Sequence, residues 1–192
     1  MQLETQRLII RPWRPFEDVR DAMDIFGDRR VARWLEDDSQ DNSLRQVQGR
    51  LQRYADNTRK ATDGTGQWAA VQKDIDRVIG QVGLRRLPDL EEVRSDHVAE
   101  PIADGTAFDY FEMEWHFRPA SWGFGYATES AHALVDYGFE QLKLTFLLAI
   151  AQPENSRSIA VMRRLGMQYA GLTTRHYGGP SLVMYRLSAP EN

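Results

Sequence analysis

The stretch RPASWGFGYATES (Arg118–Ser130) decides the fold, because it joins an alternating, strand-like pattern to a helical pattern and contains two glycines one residue apart. Backbone N–H groups at the beginning of a helix have no partners within the helix and carry the positive end of its dipole. Gly123 and Gly125 would let an anionic group approach these N–H groups without meeting a Cβ. The stretch therefore predicts an anion-binding loop, although Gly-x-Gly alone is equally compatible with a tight strand-to-helix turn.

Two common phosphate-binding loops do not fit this stretch. A P-loop needs Gly-Lys-Ser/Thr where the helix begins, whereas this helix begins with Gly125, Tyr126 and Ala127. A dinucleotide-binding fingerprint needs a third glycine where Thr128 stands, and it normally lies in the first βα unit of a chain. The loop therefore belongs to another kind of site.

The segments around the loop have clear periodicities. Before it, residues 111 to 117 alternate, with Glu112, Glu114 and His116 on the face opposite the large apolar side chains. After it come a helical stripe that reaches residue 142 and a continuous apolar run over residues 145 to 151, typical of a strand covered on both faces. Asn155 is predicted to cap a further helix, which ends at Gly166.

The remaining segments complete a single mixed α/β (α+β) domain over residues 1–192. Residues 85 to 109 lose all periodicity and carry seven acidic residues against three arginines, so they are predicted to form an acidic insertion. There is no internal repeat and no linker that would divide the chain. Elsewhere the patterns predict strands over residues 7–11, 67–72, 78–84, 168–177 and 181–187, and helices over residues 16–26 and 44–54.

Composition excludes several classes of function. The 192 residues are 42% hydrophobic and 27% charged with a net charge of −4, which indicates a soluble globular domain without the basic field that holds nucleic acid or an anionic membrane. The absence of cysteine removes disulfides and thiolate nucleophiles. No signal peptide or membrane-spanning run is recognisable, and the four histidines lack metal-ligand spacing, so we expect a cytoplasmic protein without a metal.

The order of motifs resembles the GNAT superfamily of acetyl-CoA-dependent N-acetyltransferases, and within it the RimJ/RimL-type enzymes. The motifs are WGFGYATE (residues 122–129), PENSRS (residues 153–158) and the helix end RLGM (residues 164–167), and the opening ETQRLIIRPW also matches. The superfamily signature Arg/Gln-x-x-Gly-x-Gly/Ala falls on Trp122, Gly125 and Ala127, with tryptophan in the first position, as is common in the RimJ/RimL-like branch. The resemblance covers nearly the whole chain except the acidic insertion. It implies a mostly antiparallel central sheet of about six to seven strands flanked by about four helices.

The resemblance also implies acetyl-CoA as the co-substrate. Its pyrophosphate would bind the backbone amides of residues 123–128, its pantetheine arm would lie along the strand near Trp115, and Asn155 would hydrogen-bond that arm. Asn155 could equally be only a helix cap, and Tyr126 only a core residue. The predicted cofactor-binding residues are Trp115, His116, Phe117, Arg118, Trp122, Gly123, Phe124, Gly125, Tyr126, Ala127, Thr128, Asn155 and Ser158.

Acetyl transfer to an amine needs a group that removes a proton, because an alkyl ammonium has a pKa near ~10.4 and an α-amine near ~8. Glu112 is the first candidate base, since RimJ/RimL-like enzymes carry a glutamate there, and Glu114 is the second. His116 ranks third, because its position suggests contact with the cofactor. Each of the three could equally belong to a solvated or salt-bridged strand face.

The leaving thiolate needs only modest help, because a free thiol has a pKa near ~8.5. Many GNAT enzymes supply a tyrosine seven residues after the asparagine, but this chain has Met162 there, so Ser158 becomes the candidate proton donor. Ser158 could equally cap the helix. Without cysteine, direct attack on the thioester in a ternary complex is the expected route.

The leading hypothesis is therefore an acetyltransferase whose acceptor is a small-molecule amine or a protein N-terminus. The acidic insertion favours a cationic acceptor, although charge runs are usually only solvated surface. The alternative is a non-catalytic acyl-CoA-binding sensor or interaction module with the same fold. A nucleic-acid-binding domain would show a basic helix with interleaved aromatic residues, which the sequence lacks. Either a monomer or a homodimer fits the sequence.

Overall fold

An eight-stranded sheet runs through the computed structural model, which describes residues 1–35, 40–87, 110–173 and 181–190. All neighbouring strands of the sheet are antiparallel except one parallel pair at its centre, between the fifth and sixth strands. The strands are β1 (Leu3–Glu4), β2 (Leu8–Pro12), β3 (Gly66–Gln72), β4 (Arg77–Leu87), β5 (Tyr110–Phe117), β6 (Phe146–Ala151), β7 (Gln168–Thr173) and β8 (Leu182–Ser188). Their order in the sheet is β1-β2-β3-β4-β5-β6-β8-β7.

Helices cover both faces of the sheet. Five α-helices lie in the described part of the chain, and a π-helical turn, Tyr137–Gln141, extends the fourth. They are α1 (Val19–Phe26), α2 (Arg29–Ala32), α3 (Leu44–Lys60), α4 (Tyr126–Asp136) and α5 (Ser156–Arg164).

The two faces bury separate cores. On β3, Trp68 and Ala70 join the core that contains residues of α4 and α5, whereas Ala69 and Val71 join the core beneath α1, α2 and α3. This division follows from the strand repeat, which sends successive side chains to opposite faces. The sheet therefore lies between two separate hydrophobic cores, each covered by helices.

The parallel strands β5 and β6 diverge. Along its whole length β5 pairs with β4, from Tyr110 opposite Leu87 to Phe117 opposite Gly80. With β6 it pairs at a single position, Glu112 opposite Leu148. The half of β5 beyond Glu112 therefore lies beside a gap in the sheet.

The structure confirms the predicted mixed, mostly antiparallel architecture and adds elements to it. The sheet has eight strands rather than six or seven, and five helices flank it rather than four. The elements that were not predicted are β1, which has two residues, and α2, which has four. Elements this short carry no detectable periodicity.

The predicted start of the acidic insertion at residue 85 is wrong. Strand β4 continues to Leu87, because Arg85 pairs with Glu112 on β5 and Leu87 packs in a cluster with Tyr110 and Phe146. The rest of the predicted insertion, residues 88–109, lies outside the described residues, as do residues 174–177 of the predicted closing strand and the turn at 178–180. No helix in the described ranges is long and apolar enough to cross a bilayer.

Candidate active site

A cleft of about 1210 Å³ opens where β5 and β6 diverge. It extends from the glycine loop, along the start of α5 and past the polar face of β5, to the segment that follows α2. The predicted site residues that line it are Glu112, Glu114, Trp115, His116, Phe117, Trp122, Gly123, Phe124, Gly125, Tyr126, Ala127, Thr128, Asn155 and Ser158.

The glycine loop presents bare backbone amides to this cleft. Gly123 and Gly125 have φ values of 84° and 82°, in the left-handed region that favours glycine. A Cβ added at Gly123 would meet no atom within 4 Å. Within the described chain, the backbone N–H groups of residues 123–128 have no hydrogen-bond acceptor, and no side chain caps α4. The loop therefore offers open donors at the positive end of a helix, which suits an anionic group.

Residues from the N-terminal segment fix the shape of the loop. Arg7 donates one hydrogen bond to the carbonyl of Phe124 (2.9 Å) and another to the Glu129 carboxylate (2.6 Å), and its guanidinium lies 4.5 Å from the centre of the Tyr126 ring. Thr5 also donates to Glu129. Burial opposes the charge on Glu129, but the hydrogen bonds from Thr5 and Arg7 outweigh it, so the pKa of Glu129 lies below its ordinary value.

The carboxylates on the polar face of β5 are both engaged by neighbours. Glu112 is 2% exposed, and its Oε2 lies 2.9 Å from a guanidinium nitrogen of Arg85. Glu114 accepts hydrogen bonds at Oε1 from the side-chain amides of Gln67 and Gln81, each at 2.7 Å. This end of the cleft therefore carries two carboxylates held in fixed positions.

His116 stands next to them on the same face. Its Nδ1 lies 2.8 Å from Oε1 of Gln81. Burial lowers the pKa of His116, and the charges of Arg50 and Arg85 act in the same direction, whereas the charge of Glu114 opposes them. The histidine is therefore neutral near neutral pH.

The start of α5 forms the opposite wall. Asn155 caps this helix, since its Oδ1 accepts a hydrogen bond from the Ser158 N–H at 3.2 Å, and its Nδ2 has no partner within the described chain. Arg157 lies 4.6 Å from the centre of the Trp122 ring, whose indole N–H donates to the carbonyl of Phe117 at 2.7 Å. Met162 is fully buried, so it belongs to the core.

The model for the "Acetyltransferase (GNAT) domain" matches residues 7–168 of the sequence. The chain belongs to the GNAT acetyltransferase family. Its relative YnaD, an uncharacterized N-acetyltransferase of Bacillus subtilis, is 41% identical over 61 residues, which cover 32% of this chain and 36% of YnaD. The uncharacterized protein YkkB of the same bacterium is 31% identical over 125 residues, which cover 65% of this chain and 63% of YkkB. The GNAT chain thus spans less than two thirds of the length of either relative.

Solved GNAT structures have the same fold. A ribosomal-protein alanine acetyltransferase from Vibrio fischeri superposes with a TM-score of 0.70 at 15% identity, covering 98% of this chain and 96% of that one. At this identity the likeness shows the fold alone. It is consistent with the resemblance to RimJ/RimL-type enzymes.

One predicted site residue of this GNAT domain lies away from the cleft. Arg118 does not line it, because its Nε donates to the hydroxyl of Ser121 at 3.0 Å and another of its guanidinium nitrogens lies 3.9 Å from Asp24. Arg118 is among the predicted cofactor-binding residues, but its side chain contacts Ser121 and Asp24 instead of facing the cleft.

Sequence reasoning about this GNAT domain missed several residues that line the cleft or contact residues lining it. Gln67 and Gln81 gave no signal, since a glutamine on a strand has no distinguishing pattern. Arg7 lies in the opening segment whose match to the family was noted, but nothing indicated its contact with the loop. Four further cleft residues are cationic or aromatic and also went unpredicted: Arg33, Trp34, Arg157 and Arg164. In the described ranges, no group of His, Asp or Glu side chains could hold a metal ion.

Proposed function

We propose that this GNAT domain transfers the acetyl group of acetyl-CoA to a primary amine, by direct attack in a ternary complex. The observation that carries the proposal is the open row of amides at residues 123–128, at one end of a cleft that reaches two carboxylates and a histidine. Ligand sites usually have volumes of about 300–1,000 Å³. The larger cleft here has room for two substrates.

The residues of the loop fit the diphosphate of CoA. Its amides would donate to the phosphate oxygens, and the guanidinium of Arg157 adds positive charge to the same region. The side chains of Trp122, Phe124 and Tyr126 would surround the bound group.

The unpaired half of β5 fits the pantetheine arm. Residues Trp115–Phe117 lie beside the gap, so the arm's amides can add to the strand as an edge partner. Asn155 keeps its Nδ2 available as a donor to an amide carbonyl of the arm, even though its Oδ1 caps α5. Capping and ligand binding are therefore compatible roles for this side chain.

The amine would bind at the opposite end of the cleft. Glu114, whose hydrogen bonds come from neutral side-chain amides, gives that end negative charge, which favours a cationic acceptor and orients it toward the thioester. Bound acetyl-CoA supplies an activated acetyl carbonyl and a thiolate leaving group. The hydroxyl of Ser158 lines the same cleft, and we assign it the proton that neutralises the departing thiolate. The acceptor class includes protein N-termini and small-molecule amines, and the Vibrio fischeri neighbour's ribosomal-protein substrate makes peptides with N-terminal alanine the first to test.

The test is thiol release from acetyl-CoA across a panel of amines that includes peptides with N-terminal alanine and serine, polyamines and aminoglycosides. Saturable release that depends on the amine, with matching acetylated product by mass spectrometry, supports acetyl transfer. Saturable CoA binding without release above the rate of thioester hydrolysis would instead support the sensor alternative.

Replacing Arg7 with glutamine should weaken CoA binding about tenfold, which corresponds to about 1.4 kcal/mol. Arg7 holds both the Phe124 carbonyl and the Glu129 carboxylate, so its loss lets the loop amides turn away from the phosphates. Isothermal titration with CoA measures the effect. The matched control is Arg59→Gln. Arg59 forms an exposed ion pair with Asp56 and does not line the cleft, so this variant should bind CoA as the wild type does.

The variant Glu129→Gln distinguishes two possible roles of the Arg7–Glu129 pair: holding the loop in its conformation, or acting on the phosphates only through charge. It removes a negative charge beside the phosphate site, so a purely electrostatic role for Arg7 and Glu129 predicts tighter CoA binding. Loss of loop support predicts weaker binding, because the hydrogen bonds from Thr5 and Arg7 both weaken. Tighter binding by this variant would contradict the supporting role.

A further inference from the structure

We propose that His116 is the general base of the reaction, acting through Nε2, and that Gln81 and Glu114 fix the ring in the tautomer that this role requires. The inference rests on the proposed acetyl transfer. It assigns the proton-accepting atom among the three polar groups on this face of β5.

The direction of the hydrogen bonds determines the tautomer. The Gln81 side-chain amide donates from Nε2 to the Glu114 carboxylate at 2.7 Å, so its Oε1 is left facing His116 as an acceptor. The histidine must then donate from Nδ1, at 2.8 Å. A flipped amide would place its oxygen against a carboxylate oxygen, which is repulsive. Gln67 also donates to the same Glu114 oxygen and so strengthens this orientation.

With Nδ1 protonated, a neutral ring keeps its lone pair on Nε2. Within the described chain Nε2 has no hydrogen-bond partner, and His116 lines the cleft. Burial, together with the cationic neighbours Arg50 on α3 and Arg85 on β4, lowers the pKa of His116, while Glu114 on β5 raises it. The ring is thus neutral near neutral pH and able to accept a proton from an alkyl ammonium ion.

The two carboxylates are less suited to accept that proton. Glu112 would have to give up part of its ion pair with Arg85 in a position that is almost fully buried. Glu114 would have to give up amide hydrogen bonds from Gln67 and Gln81. His116 loses no bond on protonation, because Nε2 gains a proton while Nδ1 keeps its hydrogen bond to Gln81. Glu114 therefore acts as a positioning residue and stabilises the imidazolium through Gln81.

The proposed step balances. The ammonium group R–NH₃⁺ gives one proton to Nε2 of His116, and the freed nitrogen lone pair forms the C–N bond to the acetyl carbon. The C–S bond breaks and its electron pair stays on sulfur. The Ser158 hydroxyl gives its proton to the thiolate, and the second nitrogen proton replaces it on Ser158. His116 then releases its proton to solvent, so that R–NH₃⁺ and acetyl-CoA yield the acetamide, CoA thiol and H⁺.

The first experiment tests the tautomer without turnover. Long-range ¹H–¹⁵N spectra of the ¹⁵N-labelled full chain report which ring nitrogen carries the proton, and His116→Asn identifies the signal. We expect protonated Nδ1 and unprotonated Nε2 near neutral pH. Gln81→Met should abolish this preference, whereas the matched control Gln67→Met should keep it, because Gln67 contacts Glu114 but makes no hydrogen bond with His116. A ring protonated at Nε2 overturns the proposal.

The second experiment compares acceptors that need a base with one that does not. His116→Asn retains a donor toward Gln81 but has no basic nitrogen. We expect at least about a 100-fold lower kcat with the best alkyl amine of the panel. The enzyme-dependent rate with hydroxylamine, which is uncharged near neutral pH, should change little once its uncatalysed attack on the thioester has been subtracted. The affinity for CoA and the melting temperature should stay near those of the wild type, because the proposed contact of residue 116 with the pantetheine arm is made by its main chain.

The outcomes separate the two proposals. An active wild-type enzyme with an equally active His116→Asn variant overturns the base role alone. An equal loss with the alkyl amine and hydroxylamine also overturns it, because the defect is then not in proton removal. Wild-type protein that releases no thiol with any amine overturns the acetyl transfer itself, and the base role with it.

Discussion

Replacing Gly123 with aspartate should weaken CoA binding by about 100-fold, equivalent to about 2.7 kcal/mol, while leaving the fold intact. Two unit charges about 4 Å apart near a protein surface interact by about 4 kcal/mol, so a carboxylate beside a diphosphate has the required size of effect even after screening by salt. An added Cβ meets nothing within 4 Å, but the positive φ strains any side chain at this position, so the comparison needs a variant that carries the same strain.

The matched control is Gly123→Asn. Asparagine has the same shape as aspartate, and both tolerate the left-handed conformation that this position adopts at φ 84°. It adds the same bulk to the loop without the charge, so it should bind CoA less tightly than the wild type but at least about tenfold more tightly than the aspartate variant, and both variants should melt at the same temperature. Equal affinities for the aspartate and asparagine variants would show that no phosphate lies at this loop.

The second large effect concerns stability. Replacing Asp41 with asparagine should lower the free energy of unfolding by about 1.5–3 kcal/mol, measured by urea denaturation, because it weakens buried hydrogen bonds between charged groups. Asp41 and Arg50 are 8% and 6% exposed, and the Arg50 Nε donates to Asp41 at 2.7 Å. Burial opposes the charge of Arg50, but the bonds to Asp41 and Tyr54 outweigh it and raise its pKa. Without the carboxylate charge, the buried guanidinium of Arg50 loses the charge-assisted hydrogen bonds that it makes with Asp41.

An exposed ion pair of the same length is the control. Arg59 and Asp56 lie 2.6 Å apart on α3, with side chains 75% and 31% exposed. Asp56→Asn should change the free energy of unfolding by less than about 1 kcal/mol, because water already solvates both charges. Equal losses in the free energy of unfolding for Asp41→Asn and Asp56→Asn would show that burial does not increase the contribution of the Asp41–Arg50 pair.

The sequence was informative where local patterns set the structure. Strict alternation predicted β5 and showed which of its faces is polar and which is apolar. The apolar run predicted β6 to within one residue of its observed start at Phe146. The glycine loop and the Asn155 cap were likewise predictable, because each depends on backbone conformation over a few residues.

Contacts between distant segments could not be predicted in the same way. Arg7 meets Glu129 across 122 residues, and Gln67 meets Glu114 across 47. Such pairs depend on strand register and on the packing of the N-terminal segment against α4, for which no local pattern exists. The ranking of Glu112 ahead of His116 came from the resemblance to RimJ/RimL-type enzymes. The contacts on which the proposal for His116 rests, the ion pair of Glu112 with Arg85 and the hydrogen bond to Gln81, join different strands and left no local signal.

The single pairing position between β5 and β6 divides the sheet into two wings, β1 to β5 and β6 to β8. After Glu112, β5 and β6 form no further main-chain pairs in the described chain, so the relative position of the two parts of the sheet depends on side-chain packing. A molecule that bound in the gap could make main-chain hydrogen bonds where β5 and β6 do not, and would thereby connect the two parts of the sheet. Binding of such a molecule would then also stabilise the relative position of the two parts of the sheet.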